Sequence, residues 1–458
     1  MTKSNLFQDF DPVSAKAFKQ KIQFDLKGAS YNDTLIWHTN EGIDVKPFYH
    51  GDDIDESQLT TPQTPEQWYI SEAIFILDPA QSAVTANTAI EAGAEAIYFT
   101  ANEPFDIEVL YNHLSEREIP LYFNLRFLDE DFCVRFYAFA KAYKNTTLKL
   151  DLIHHLIEDG NWFHSMERDH KILNTILNSE GQKNITIDTT FYQNAGATMV
   201  QQLAYGISHL NEYLNHIEQQ KIECPHITFE VAVGTNYFFE IAKLRALRQL
   251  TAILLSEYGF SESTRVHIIA HPTRRNKTIY DYNTNMLRTT TECMSAILGG
   301  ANVVVNQPYD AIYHKTNNFG QRISRNQLII LKEESYFDAV SNPADGAYYI
   351  ESITSQLAQK SLDLFKEIEQ KGGFLKQLKE GTIQRKIKES DAREQEQFNN
   401  KELILLGTNK HPNLTDKMKD ELELFPFVKR NPRKTIITPI IPRRLSEIIE
   451  QERLKNEV

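Results

Sequence analysis

The sequence predicts an α/β protein whose centre is a (β/α)8 barrel, with an N-terminal arm and a C-terminal helical extension. Eight short runs rich in β-branched and aromatic residues follow one another between residues 73 and 306. The segments between them have helical spacing, and apolar strands that alternate with helices are typical of a parallel sheet. An open doubly wound sheet is the main rival, but the first run lacks the Gly-rich phosphate turn of that fold.

The eight runs are the predicted barrel strands, and their C-terminal ends would form the functional face of the barrel. Their ranges are 73–78, 96–100, 119–127, 146–153, 184–190, 226–234, 265–272 and 301–306. The helix after the fifth strand is the clearest, because its apolar residues recur on one face at the 3.6-residue period. These residues are Val200, Leu203, Ala204, Ile207, Leu210 and Leu214.

The chain divides into four predicted regions. Residues 1–67 form an acidic arm that we expect to wrap a partner, with a helix around residues 12–26, and residues 68–348 form the barrel. Residues 349–424 form a helical segment. Residues 425–458 form a proline-containing tail, which we expect to be extended and to lie across a partner surface.

Composition narrows the class of protein. The net charge of −13 argues against a nucleic-acid partner, which needs clustered Lys and Arg to neutralise phosphates. No apolar run approaches the ~20 residues of a membrane span, and the first residues have no apolar signal-peptide region. The three cysteines have no paired spacing, which indicates reduced thiols. We therefore expect a cytoplasmic protein with no membrane partner.

A metal-dependent barrel hydrolase is the generic alternative. His267 and His271 lie four residues apart on one predicted strand, so both side chains face one side, and His154 and His155 end another strand. Asp188 is the one carboxylate placed to complete a ligand set at a strand end. Histidines in barrels are more often hydrogen-bonded rim or core residues, so we predict no metal site.

The loop after the seventh strand is basic, with Arg274, Arg275 and Lys277. It lies at the functional end of the barrel, so an anion site or a partner-facing patch are equally open. The small residues of 194–197 suit a tight turn into a helix. No P-loop, nucleophile elbow or GxGxxG turn is present, and the residues alone indicate no convincing active site.

Several long motifs resemble the methylmalonyl-CoA mutase family, in order and with matching spacing. The matching segments are 41–49, 186–214, 234–250, 283–300, 319–335, 342–351 and 367–374. The resemblance implies a (β/α)8 barrel that coenzyme A threads and that adenosylcobalamin caps. The family's DxHxxG motif, which supplies the cobalt-ligating histidine, is absent from this sequence. We therefore expect no cofactor on this chain and adenosylcobalamin on a partner.

The resemblance also implies that the barrel site is degenerate. Where catalytic members carry a motif similar to WTIRQYAGF, residues 68–75 read WYISEAIF, with Ser71 and Ala73 in place of an arginine and a tyrosine. Phe191 takes the place of a histidine that contacts the thioester carbonyl, and Thr190 that of its neighbouring tyrosine. Two further substrate arginines are replaced by Asp159, on a looser alignment, and by Ile269.

These losses resemble the silent paralogue in the heterodimeric form of the family. That chain carries a pattern similar to TRxDPWVNMLRTT, which residues 273–290 match at Asn285 and Arg288 but not at Asp281 and Tyr282. The resemblance implies a truncated small (beta) subunit, inactive alone, whose large catalytic subunit isomerises methylmalonyl-CoA to succinyl-CoA in propionate metabolism. Two alternatives remain: the barrel half of a split acyl-CoA mutase, and a non-catalytic coenzyme-A-ester binding module.

Overall fold

A computed structural model describes residues 10–53, 64–115, 118–143, 145–178, 184–223, 225–260, 266–429 and 432–457. The arm contains helices α1 (Ala15–Asp25) and α2 (Tyr31–Leu35), then an antiparallel hairpin of β1 (Trp37–His38) and β2 (Asp44–Val45). The expectation for Cys224 lies outside the described residues, whereas Cys133 and Cys293 are buried free thiols.

Eight parallel strands form a nearly closed barrel, which confirms the predicted fold. They are β3 (Tyr69–Phe75), β4 (Ala96–Ala101), β5 (Leu121–Leu125), β6 (Thr146–Lys149), β7 (Asn184–Asp188), β8 (His226–Val233), β9 (Val266–Pro272) and β10 (Val303–Val305). The order of hydrogen-bonded neighbours is β6-β5-β4-β3-β10-β9-β8-β7, so β6 and β7 meet at the one seam of the barrel.

Helices cover the outside of the barrel. They are α3 (Pro79–Glu91), α4 (Ile107–His113), α5 (Glu130–Ala140), α6 (Leu152–Asp159), α7 (Met166–Asn178), α8 (Thr190–Asn194), α9 (Met199–Gln220), α10 (Tyr237–Glu257), α11 (Thr284–Leu298) and α12 (Asn318–Ile329). Helix α12 continues as a π-helical turn over Ile330–Glu334. The C-terminal extension adds α13 (Tyr348–Gln370), α14 (Phe374–Lys379), α15 (Thr382–Asn399) and α16 (Glu447–Asn456).

Aspartates at strand ends explain where two predictions misplaced a boundary. The first strand ends at Phe75 rather than 78, because Asp78 accepts from the Gln81 amide and begins α3. The fourth strand ends at Lys149 rather than 153, because Asp151 accepts from the His154 amide and begins α6. His154 therefore lies in the first turn of a helix and not, as its sequence context predicts, at the end of a strand.

The alternation of strand residues separates two apolar cores. Along β4, Ile97 and Phe99 join the large core between the sheet and the helices, whereas Tyr98 faces the lumen. The small lumen core consists of Ala96, Tyr98, Tyr122, Ile269, Val303 and Val305, with Tyr69 packed against it. The inside of the barrel is therefore filled by side chains near its N-terminal end.

The tail packs on its own barrel. The Ile437 amide donates to Gly160 O at 3.1 Å and the Ile440 amide to Ile157 O at 2.9 Å, so this segment lies on the end of α6. Gly160 has φ +88°, and a Cβ there would meet Ile437 O at 2.8 Å. The described part of the tail is thus held by this chain, and its contact with a partner stays a prediction.

The arm behaves differently from the tail. Helix α1 has no buried residue, and Phe10 and Phe24 are 74% and 79% exposed. The hairpin that follows is fixed to the barrel, since Glu41 accepts from the Met199 and Val200 amides at the start of α9 at 2.9 Å each. The first helix of the arm therefore leaves its apolar side chains exposed, whereas the hairpin is anchored on α9.

Candidate functional site

Two hydrogen-bonded bridges cross the barrel lumen. Tyr98 on β4 donates to Glu230 on β8 at 2.9 Å, and Tyr122 on β5 is 3.0 Å from the Nε2 atom of His267 on β9. In the strand order, β4 and β8 lie four positions apart, and so do β5 and β9. Each bridge therefore joins strands on opposite sides of an eight-stranded barrel and passes through its axis.

Lys149 links the Tyr98–Glu230 bridge, the upper of the two, to the seam between β6 and β7. The Tyr122–His267 bridge is the lower one. Its ammonium group is 2.7 Å from an Asp188 carboxylate oxygen and 2.8 Å from a Glu230 carboxylate oxygen. Asp151, just beyond β6, accepts from the Asp188 amide at 2.8 Å. We call Tyr98, Lys149, Asp188 and Glu230 the lumen network; all four residues are buried.

Burial and neighbouring charges shift the pKa values of all four groups of the lumen network, and they favour the charged forms of Lys149, Asp188 and Glu230 and the neutral form of Tyr98. Burial alone would lower the pKa of Lys149, but the charges of Asp188 and Glu230 raise it well above its ordinary value. Burial opposes ionisation of both carboxyl groups, yet His154 and Lys149 hold the pKa of Asp188 low, and Lys149 with His271 lowers the pKa of Glu230. Burial and the charge of Glu230 raise the pKa of Tyr98 well above its ordinary value. Lys149 therefore cannot act as a neutral amine nucleophile.

His267 and His271, which were predicted on one face of their strand, share the lumen, and each lies beside another protein side chain. His271 Nε2 lies 3.3 Å from a Glu230 oxygen and His154 Nδ1 lies 3.7 Å from an Asp188 oxygen. Burial, with the charge of Arg248 and of His226, lowers the pKa of His267 to about 3. Over the part of the chain that the structure describes, no three His, Cys, Asp or Glu residues are grouped as metal ligands would be.

Most of the predicted degenerate positions lie in or beside the lumen. Ala73 on β3 is exposed beside Tyr98, its register partner on β4, and the buried Ser71 lies one layer lower. Ile269 on β9 belongs to the lumen core. Phe191, at the start of α8, packs edge-to-face on His154 with ring centres 4.7 Å apart. No side chain among these four can donate to a carbonyl except the Ser71 hydroxyl.

Asp159 and Thr190 have other roles. Asp159 lies at the C-terminal end of α6 and pairs with Arg433 of the tail, so it does not join the lumen positions. Thr190 donates to an Asp188 oxygen through its amide at 2.9 Å and its hydroxyl at 2.5 Å. Thr190 thus orients a carboxylate of the lumen network.

The basic loop after β9 is not one site. Arg275 pairs with Asp391 at 2.7 Å and with Glu394 at 2.5 Å, both on α15. Lys277 is buried against Glu292 at 2.7 Å. Both residues therefore form ion pairs with carboxylates of the same chain. The sequence left open an anion site or a partner-facing patch, and neither hypothesis describes Arg275 and Lys277.

A cavity of about 580 Å³ lies off the barrel axis, between the arm hairpin, the loops after β7 and β8, and α15. Its polar lining includes Glu41, Glu240 and Arg393, with Trp37 on one wall. Charges of both signs line this cavity, so its chemistry does not select a class of ligand.

No helix in the described ranges is long and apolar enough to span a bilayer.

The family profile described as Methylmalonyl-CoA mutase matches residues 139–437. The methylmalonyl-CoA mutase small subunit of Porphyromonas gingivalis is 29% identical over 457 residues, which cover 92% of this chain and 73% of that protein. The methylmalonyl-CoA mutase of Cereibacter sphaeroides is 26% identical over 86% of this chain, which spans 64% of that protein. The large subunit from P. gingivalis is 28% identical over 58% of this chain and 39% of its own length. The chain belongs to the methylmalonyl-CoA mutase family.

Proposed function

We propose that this chain is the non-catalytic small subunit of a heteromeric methylmalonyl-CoA mutase, in which a large subunit isomerises methylmalonyl-CoA and succinyl-CoA. The observation that carries this proposal is the pair of bridges across the lumen, Tyr98 to Glu230 and Tyr122 to His267. The family resemblance implies a barrel in which coenzyme A lies along the axis. In this chain the two bridges lie across that axis. A barrel whose axis is bridged twice serves as a scaffold rather than as a substrate channel.

The upper lumen supports the same role. A phenyl ring at Phe191 and a methyl group at Ala73 can neither donate a hydrogen bond nor move a proton. Loss of one donor that stabilises developing charge commonly slows an enzyme by ~100-fold or more. Two such positions, together with a network whose charges are already paired, leave this barrel without the groups that the reaction needs.

We propose that adenosylcobalamin is bound by the large subunit and not by this chain. The sequence contains no DxHxxG motif. The sheets of the described residues are the barrel and the two-stranded arm hairpin, so no further α/β sheet there could hold a corrin ring over the mouth. The residues present do not fit the cofactor, and we assign no step of the radical chemistry to them.

The arm is the proposed contact with the large subunit. Helix α1 buries none of its residues on this chain, and it carries lysines beside its exposed phenylalanines. An obligate partner would cover this surface, and interfaces of that class bury about 2,000 Å² or more. The free thiols of Cys133 and Cys293 are in keeping with assembly in the cytoplasm.

Purification of the tagged full chain from its own cell tests this proposal. We expect a single large mutase subunit at equal stoichiometry, with corrinoid in the eluate, and mutase activity in the complex but not in the separated chain. A variant that lacks residues 10–25 should release the partner, whereas the matched exposed substitution Leu287→Ser on α11 should not. Recovery of the chain alone, or with only a small cobalamin-domain protein, would favour the split-enzyme alternative.

A further inference from the structure

Two arginines stand at the C-terminal mouth of the barrel without an ion-pair partner among the described residues. Arg126 follows the last residue of β5, and Arg274 lies two residues beyond the end of β9. Strands β5 and β9 are on opposite sides of the barrel. The backbone of each arginine is fixed, since the Arg126 amide donates to Ala101 O at 2.9 Å and the Arg274 amide to Asn194 Oδ1 at 2.8 Å.

Four carboxylates on neighbouring elements pair with other cations. Asp391 and Glu394 pair with Arg275, the residue next to Arg274. Beneath the mouth, Asp188 and Glu230 pair with Lys149. The mouth therefore carries two guanidinium groups whose hydrogen-bonding forks are not taken up by nearby acids.

Arg126 and Arg274 carry like charges at the same end of opposite strands. Burial lowers the pKa of Arg274, and the positive charges of Arg444 and Arg126 lower it further. Arg274 nevertheless remains exposed to solvent. An anion that binds between the two guanidinium groups would relieve the repulsion between them.

We propose that Arg126 and Arg274 bind a small dianion at the barrel mouth, either a phosphate monoester or a dicarboxylate. Guanidinium groups bind both kinds of oxyanion through paired, charge-assisted hydrogen bonds. The ionised carboxylates of the lumen network, one layer below, would keep the anionic group at the rim. At the end of β3, Phe75 and Leu77 are 42% and 87% exposed and offer an apolar wall to the carbon part of the ligand.

This site would give the silent barrel a ligand whether or not the chain has met its partner. Calorimetric titration of the full chain at low ionic strength tests it, with inorganic phosphate and malonate as separate probes. The variants are Arg126→Gln and Arg274→Gln, and the matched control is Arg322→Gln, which removes an exposed arginine from α12. All three residues are exposed, so circular dichroism should show each variant folded.

We expect saturable binding by the wild-type chain, an affinity reduced about tenfold or more in either mouth variant, and an unchanged affinity in the control. Binding of phosphate alone would identify the ligand as a phosphate ester, and binding of malonate alone would identify a dicarboxylate. The site is refuted if neither probe binds, or if the control variant weakens binding as much as the mouth variants do.

Discussion

The two bridges across the lumen both join strands on opposite sides of the barrel, but one joins neutral groups and the other includes a charged carboxylate. The lower bridge joins two neutral groups, the Tyr122 hydroxyl and the His267 imidazole, within an otherwise apolar layer. The upper bridge is one edge of an ionised network, in which Lys149 neutralises one of two buried carboxylates and is shared between both. The same closure of a barrel can thus be made with neutral or with charged groups, and the two should respond differently to mutation and pH.

Removal of the one cation from the lumen network should have the largest effect. In Lys149→Met, Asp188 and Glu230 remain buried and lose the ammonium group that they share. Breaking a buried pair from one side typically lowers the free energy of unfolding by about 3–5 kcal/mol. Urea unfolding at pH 7 measures this loss, and Lys388→Met on the exposed face of α15 is the control. A loss below about 1 kcal/mol would show that the network is not buried as described.

Removal of one hydroxyl from each bridge compares them directly. Tyr98→Phe deletes a hydrogen bond to a carboxylate, which typically contributes about 1.5–3 kcal/mol to the free energy of unfolding. Tyr122→Phe deletes a hydrogen bond between neutral groups, typically worth about 0.5–1.5 kcal/mol. The same unfolding experiment on both variants should therefore rank Tyr98→Phe as the more destabilised. Equal losses would mean that the charge of Glu230 adds nothing.

The pH dependence of stability should separate the bridges as well. Because the pKa of His267 falls to about 3 on folding, only the unfolded state gains this proton as the pH drops from about 6.5. Stability should therefore decrease by about 1.4 kcal/mol per pH unit through this one group. The lowered pKa values of Asp188 and Glu230 act at lower pH, since their contribution to stability is complete above pH ~4.5 and is lost only below it.

The variant His267→Phe tests this separation. Its free energy of unfolding, compared with that of the wild type at pH 6.5 and at pH 5, should depend less steeply on pH, although it is lower at neutral pH. Parallel curves for the two proteins would show that the imidazole of His267 titrates normally in the fold.

The smallest effect is expected where the family resemblance is most specific. Phe191→His restores an imidazole at the start of α8, but the bridges and the lumen network still close the axis. We expect no mutase turnover from the separated variant chain and an unchanged kcat in the complex with the large subunit. A coupled assay of succinyl-CoA conversion measures both. Turnover by the variant alone would contradict the proposed scaffold role.

The fold was predictable because apolar strands and amphipathic helices leave a strong periodic pattern. The two misplaced strand ends depend on Asp78 and Asp151, which resemble other polar strand residues until their hydrogen bonds to the next helix are seen. Asp159 could not be placed, because its partner Arg433 follows 274 residues later in the sequence.

The lumen network was missed for a different reason. Tyr98, Lys149 and Glu230 each lie in an apolar strand run, and a single polar residue there is common. Their signal is the position of each on the lumen face of its strand, together with opposite charges on Lys149 and Glu230. That signal has meaning only once the order of the strands around the barrel is known, and sequence periodicity does not supply this order.

In the proposed function, the closed lumen is the feature that keeps this chain from binding the substrate. Calorimetry measures this binding directly. Succinyl-CoA is titrated into the purified chain, into the large subunit and into their complex. Phosphate buffer would keep the mouth arginines occupied if they bind anions. We predict no binding by this chain alone and one succinyl-CoA per complex. Saturable binding by this chain alone, or two molecules per complex, would contradict the closed barrel and the non-catalytic role.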